Sequence, residues 1–217
     1  MLVKIKTFIK APLSGKIQFI ANVFHKIKTQ TFYKLQFKNI GKGSVIKNPL
    51  FMTPEFISLG NNVVIWEGAR IEGISSYAET SFAPHIVIED GVSFQQRCHI
   101  TAAGTLIIGK NSLISFDVSI QDTDHGYQAL GVPVVNQPLI FKKTLIGENC
   151  FIGSGVKIQA GSILGKHCVV GTNAVVRGDF PDYSVIVGIP AKIVKQYNAT
   201  TKKWEKTNNK GELVNDN

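Results

Sequence analysis

Residues 146–176 read IGENCFIGSGVKIQAGSILGKHCVVGTNAVV, and every sixth position is aliphatic: Ile146, Ile152, Ile158, Leu164, Val170 and Val176. The same frame runs upstream, through Leu59, Ile65 and Ile71, then Ile88, Phe94 and Ile100, then Ile108, Ile114 and Ile120. The position after a block start is often glycine, as at Gly60, Gly109, Gly147, Gly153, Gly165 and Gly171. The fourth position after it is mostly small: Ala69, Cys98, Ser112, Cys150, Ser162, Cys168 and Ala174, with Val63, Val92, Val118 and Val156 as larger members. A period of six suits neither an α-helix nor a hairpin stack. It predicts short strands joined by tight turns, with the aliphatic residue in a narrow core and the small one at a corner. The glycine column is expected to supply the left-handed backbone of those turns.

Two segments break the frame. Residues 74–85 (ISSYAETSFAPH) and 122–145 (DTDHGYQALGVPVVNQPLIFKKTL) read as loops leaving the coil, the places where chemistry tends to sit on a rigid scaffold. Upstream, Ile17, Ile20, Phe24 and Ile27 follow helical spacing with Lys16, Lys26 and Lys28 between them. Tyr33, Leu35 and Phe37 alternate with polar residues and read as an entering strand. Residues 198–217 are polar, rich in Asn and Lys, and are expected to fray. The organisation expected is therefore a basic amphipathic segment with its strand at 1–37, a coil domain at 38–195 and a tail at 196–217.

Charge is unevenly placed. The net charge of +9 comes from 24 basic and 15 acidic residues, yet residues 1–54 hold ten lysines and no acid, Glu55 being the first. Such a segment is drawn to an anionic surface, or it covers the open end of the coil with its apolar stripe. No apolar run approaches the ~18 residues that span a bilayer, and no secretory h-region is legible near the N-terminus. Three cysteines exclude a disulfide scaffold and fit a reducing compartment, so a cytoplasmic location is expected, at the inner face of the membrane if the basic segment binds lipid. All three fall in the small corner column and read as buried packing residues rather than nucleophiles.

Of the five histidines, His25, His85, His99 and His167 stand singly, and no HExxH or close histidine pair is present, so no metal ion is expected. His125 differs. It opens the long loop in Gln121-Asp122-Thr123-Asp124-His125-Gly126, with two carboxylates within three residues. A carboxylate on one ring nitrogen fixes the tautomer and raises the basicity of the other.

The repeat, together with Cys150-Phe151-Ile152-Gly153-Ser154-Gly155, Val169-Val170-Gly171-Thr172-Asn173-Ala174 and Gly188-Ile189-Pro190-Ala191-Lys192, resembles the hexapeptide-repeat acyltransferases. The resemblance covers roughly 38–195 and extends to galactoside, maltose and polysaccharide O-acetyltransferases. It implies an all-β fold, a left-handed parallel β-helix with three hexads per coil. Coils would start near 59, 88, 108, 146 and 164, with an earlier one at Ile40 and Ile46. It implies acetyl-CoA as acetyl donor, contacted by Phe151, Ser154, Thr172, Arg177, Lys192 and Lys195. Phe151 replaces the family's usual tryptophan, and Thr123 stands where some polysaccharide O-acetyltransferases carry a further histidine. His125 would be the base that deprotonates a sugar hydroxyl, Asp122 or Asp124 would orient it, and Gln95 would contact the acceptor. The family also implies a homotrimer with sites between subunits.

The expected function is acetyl transfer to a sugar hydroxyl, the acceptor being a small molecule or lipid-linked, in surface polysaccharide synthesis. No nucleic-acid partner is expected. An N-acetyltransferase or drug-modifying acetyltransferase on the same scaffold is the alternative. A non-catalytic β-helix, or a metal-dependent one, stands as the reading from a different class.

Overall fold

The computed structural model describes residues 12–208 and 211–214. Each hexad forms one strand of two to four residues and one turn. Strands stack coil upon coil into three parallel sheets that make the faces of a prism. The first face runs from Asn39–Ile40 through Ile57–Leu59, His85–Ile88, Thr105–Ile108, Leu145–Ile146 and Ile163–Leu164 to Asp179–Phe180. The second runs from Val45–Ile46 to Ser184–Gly188 and the third from Phe51–Met52 to Val175–Val176. Pairing is in strict register, so that Ile88, Ile108, Ile146 and Leu164 form one column. All fifteen block starts are buried, and so is every member of the small column. The core is thus stacked aliphatic side chains, with the inter-coil ladder satisfying the backbone. The coil at Ile40 and Ile46 is present, and a partial coil follows 176.

The glycine column has a different cause from the one expected. Gly60, Gly109, Gly147, Gly153, Gly165 and Gly171 are not among the left-handed residues. They mark where neighbouring coils come closest: a Cβ on Gly147 would stand 2.6 Å from the carbonyl carbon of Gly165. The left-handed position is the third after a block start. Asn62, Asn111, Asn149 and Asn173 occupy it, as do Arg97, Asp117 and His167, with φ of 54–59°. Asparagine tolerates this region better than most residues, which explains its recurrence.

The cysteines are buried and free. Burial pushes the Cys98 thiol up to about 12. A hydrogen bond shared with Cys168, together with burial, pushes Cys150 up as well. Thiols held protonated in this way are poor nucleophiles.

Both ends of the prism are covered, and both depart from expectation. Helix α1 (Leu13–Thr31) lies over the first coil, but its apolar stripe does not pack there. The residues it buries are His25 and Thr29. Thr29 Oγ1 accepts from the Ile46 amide at 2.9 Å, and Gln30 donates to the carbonyls of Gly41 and Ser44 at 3.1 and 3.0 Å. The expected entering strand is a 3₁₀ turn, Tyr33–Leu35, with Leu35 exposed and Phe37 buried against the core. The part of the basic segment in residues 1–11 lies outside the described residues.

At the other end, Ala191–Asn198 forms an antiparallel ribbon with Lys203–Lys206, the latter from the tail expected to fray, and the ribbon extends the second face. Aromatic contacts hold it: Tyr197 packs on Trp204 and on Tyr183, with ring centroids 5.7 and 6.0 Å apart. Of these rings only Trp204 falls in the polar stretch expected to fray.

Candidate active site

The long loop is an arm with its own structure. At its root Asp122 is fully buried, and its two carboxylate oxygens accept from the amides of Ala103 and Gly104, at 2.8 and 2.9 Å. Burial pushes this carboxyl up, and the two amides oppose the shift. The side chain therefore ties the arm's exit to the turn of the preceding coil. Thr123–His125 then pairs antiparallel with Leu139–Phe141, His125 opposite Leu139. The tip between them is braced by Gln137, which bonds the backbone of Ala129 and Val132.

His125 is exposed on this arm and faces the loop at 74–85, itself a small hairpin of Ser76–Tyr77 with Thr80–Ser81. Tyr77 Oη lies 3.3 Å from His125 Nδ1, and the rings meet edge-on at 5.3 Å. A cleft of about 200 Å³ opens here between Ile74, Tyr77, Thr101, Gln121, His125 and Leu139. With Tyr77 at Nδ1, Nε2 is the nitrogen left to take a proton from a substrate.

Neither predicted carboxylate orients the ring. Asp122 points into the root of the arm. Asp124 binds Arg177 at 3.0 Å and Lys142 at 3.4 Å. The reason is strand alternation. Neighbours on a strand point to opposite sides, so Asp124 faces away from His125. Tyr77 is the residue the sequence reading missed. It comes from the other loop, 48 residues away, and nothing local in the chain pairs the two.

The expected donor contacts fall mostly on one other edge of the prism. Phe151 pairs with Val169, Val169 with Val185 and Val185 with Lys195, in one row of the second face. Ser154 and Thr172 follow that row at the corner between second and third faces, where the Asn173 amide donates to the Ser154 carbonyl at 2.9 Å. Lys192 pairs with Val187, whose side chain lies against Gly171. Gln95 sits on this same edge in an earlier coil, away from His125. Arg177 does not join them. It lies at the corner between third and first faces, donating to Gln159 at 2.9 Å and gripping Asp124. The residues expected to work together thus divide between two edges, with the third face between them. On the other side of the arm a larger cleft, about 740 Å³, runs along the first face past Phe82, Ile107, Phe141 and Lys143.

Comparison with known proteins agrees with this architecture. Residues 143–178 match the family described as bacterial transferase hexapeptide (six repeats). Over 88% of its length the chain is 30% identical to a putative lipopolysaccharide biosynthesis O-acetyl transferase, WbbJ, of Escherichia coli K12, covering 95% of that protein. It is 25% identical to the galactoside O-acetyltransferase of the same organism, over 82% of the chain and 72% of the relative. Among solved structures, AntD, an N-acyltransferase from Bacillus cereus, superposes with a TM-score of 0.64 at 17% identity, over 80% of this chain and 90% of that one. A maltose O-acetyltransferase from Clostridium difficile 630 gives 0.53 at 21%, over 82% and 83%. The chain belongs to the hexapeptide-repeat acyltransferase family. Its prism is the left-handed parallel β-helix of that family.

Proposed function

We propose that this protein transfers acetyl from acetyl-CoA to a hydroxyl of a sugar used in surface polysaccharide synthesis, with His125 as general base. The observation that carries the mechanism is the ring of His125, exposed on a braced arm that lines the open cleft, with Tyr77 at Nδ1. The relation to a protein named for lipopolysaccharide O-acetylation carries the acceptor class. His125 Nε2 takes the acceptor's hydroxyl proton as its oxygen attacks the thioester carbonyl. The tetrahedral intermediate then collapses, the C–S bond breaks, and the imidazolium returns the proton to the leaving thiolate. Ser154, Thr172, Lys192 and Lys195 fit the donor edge, where an extended pantetheine arm can bond coil backbone and lysines meet phosphates. Phe151 offers an apolar wall there, and Gln95 an acceptor contact from the same edge.

Because base edge and donor edge are separated within one chain, the same reading includes a homotrimer. A head-to-tail ring brings the His125 edge of one copy to the donor edge of the next. Residues 38–195 form the transferase domain in this scheme. Contact of residues 1–37 with an anionic membrane, and a lipid-linked acceptor, belong to it as well.

The test is coenzyme A release from acetyl-CoA against matched panels of sugar hydroxyls and amino sugars. Turnover with hydroxyl acceptors supports the reading. Turnover confined to amines would replace it with N-acetylation, and no release with any acceptor would remove it.

A further inference from the structure

Helix α1 meets the first coil through its C-terminal part: Thr29 is fully buried, His25 nearly so, and Gln30 bonds the coil, whereas Gln18 and Asn22 on the same side are exposed. Its apolar side faces outward. Ile17, Ile20, Phe24 and Ile27 are 59–62% exposed, with Leu13 and Val23 exposed beside them. At 100° per residue these six fall on one arc, roughly opposite His25 and Thr29. Lys16 lies within the arc and Lys28 borders it, with Lys26 further round on the other side. A surface helix that only capped a solenoid would bury its stripe and wet its polar face. In this one the stripe stays uncovered among the described residues and is open to a surface outside the coil.

We infer that α1 is an interfacial anchor that lays its outer face on an anionic lipid bilayer. Charge selects this occupant. No acid occurs before Glu55, whereas residues 55–217 hold 14 basic and 15 acidic groups, so the positive field is concentrated at the helix end of the molecule. Lysines along and beside an apolar arc suit a surface in which acyl chains lie under anionic headgroups. Lys16 and its neighbours can extend their stems over apolar surface and keep their ammonium groups among headgroups. No described helix is long and apolar enough to cross a membrane, so the contact is with the interface. A ring of three copies would present three such helices at one end, and their binding would reinforce. The inference deepens the membrane contact proposed above and needs no acetyl transfer to be observed.

The experiment is co-sedimentation of the full chain with phosphatidylglycerol vesicles and with phosphatidylcholine vesicles, at low and high salt. The double variant Ile20→Asp/Phe24→Asp and the pair Lys16→Gln/Lys26→Gln are compared with it. These side chains point away from the first coil, so melting temperature and circular dichroism stay at the parent values. The full chain binds phosphatidylglycerol, and salt weakens the binding. The aspartate variant loses at least ten-fold in partitioning, and the glutamine variant loses in part, both with unchanged mass by light scattering. Absence of binding, equal binding to both lipids, or an aspartate variant that binds like the parent overturns the inference. A drop in oligomer mass in the aspartate variant also overturns it, because the stripe then belongs to a contact between copies.

Discussion

The His125 ring shows how much a neighbour outside the local sequence decides. A general base needs one nitrogen held and the other open, and here Tyr77 holds Nδ1. Tyr77→Phe keeps the edge-on packing and removes the hydroxyl. It should lower kcat about ten-fold, the low end for loss of a residue that orients a working histidine. The KM for acetyl-CoA should stay in place, since the donor edge is untouched. Steady-state kinetics checks both. His125 itself was legible from its place at the head of a long loop with carboxylates nearby. Its partner was not, because the hydrogen bond joins two loops that leave coils with a further coil between them. The carboxylates misled for a physical reason. Residues 123–125 are strand, so adjacency in sequence puts Asp124 on the far side of the arm, while Asp122 serves the arm's root.

Among elements, the arm and the turns carry the clearest expectations. Arg177 ties the arm to a coil 53 residues away through Asp124. The pair is half-exposed and adds little to global stability. Its effect is positional. Arg177→Gln should therefore cut kcat several-fold with little change in the KM for acetyl-CoA, since misplacement of a reacting group is felt in the chemical step. A rise in KM with kcat unchanged would instead return Arg177 to the donor contacts.

The turns give a test of the fold. Asn149 is left-handed at φ 58°, third after its block start. Asn149→Val should destabilise by about 1–2 kcal/mol or more, a β-branched residue being poorly suited to that region, while Asn149→Gly should be near neutral. Thermal melts of the two variants separate them. The period of six made coils, faces and inward residues legible, down to the first coil at Ile40. The turn position was present as a column of Asn, Gly and Asp but was overshadowed by the glycine column, whose cause is coil-to-coil contact. The two ends were the least legible. Helical spacing found α1 but not which side faced the coil, since that depends on His25, Thr29 and Gln30 meeting polar backbone at the first turn.

At the scale of the molecule, the rigid prism sets a directional logic. One edge carries the base arm, another carries the row of Ser154, Thr172 and Lys192, and one end carries the basic helix. In the proposed scheme a ring of copies would join the two edges and leave the helix end free for a surface where lipid-linked sugars are held. Every part of this scheme depends on His125 being the group that moves the proton. The direct measurement is coenzyme A release by His125→Ala beside the parent, with acetyl-CoA and the best sugar acceptor, together with acetyl-CoA affinity by calorimetry. The account predicts a fall in kcat of about 10²–10⁴ with donor affinity kept. A variant retaining more than half the parent's turnover would contradict it.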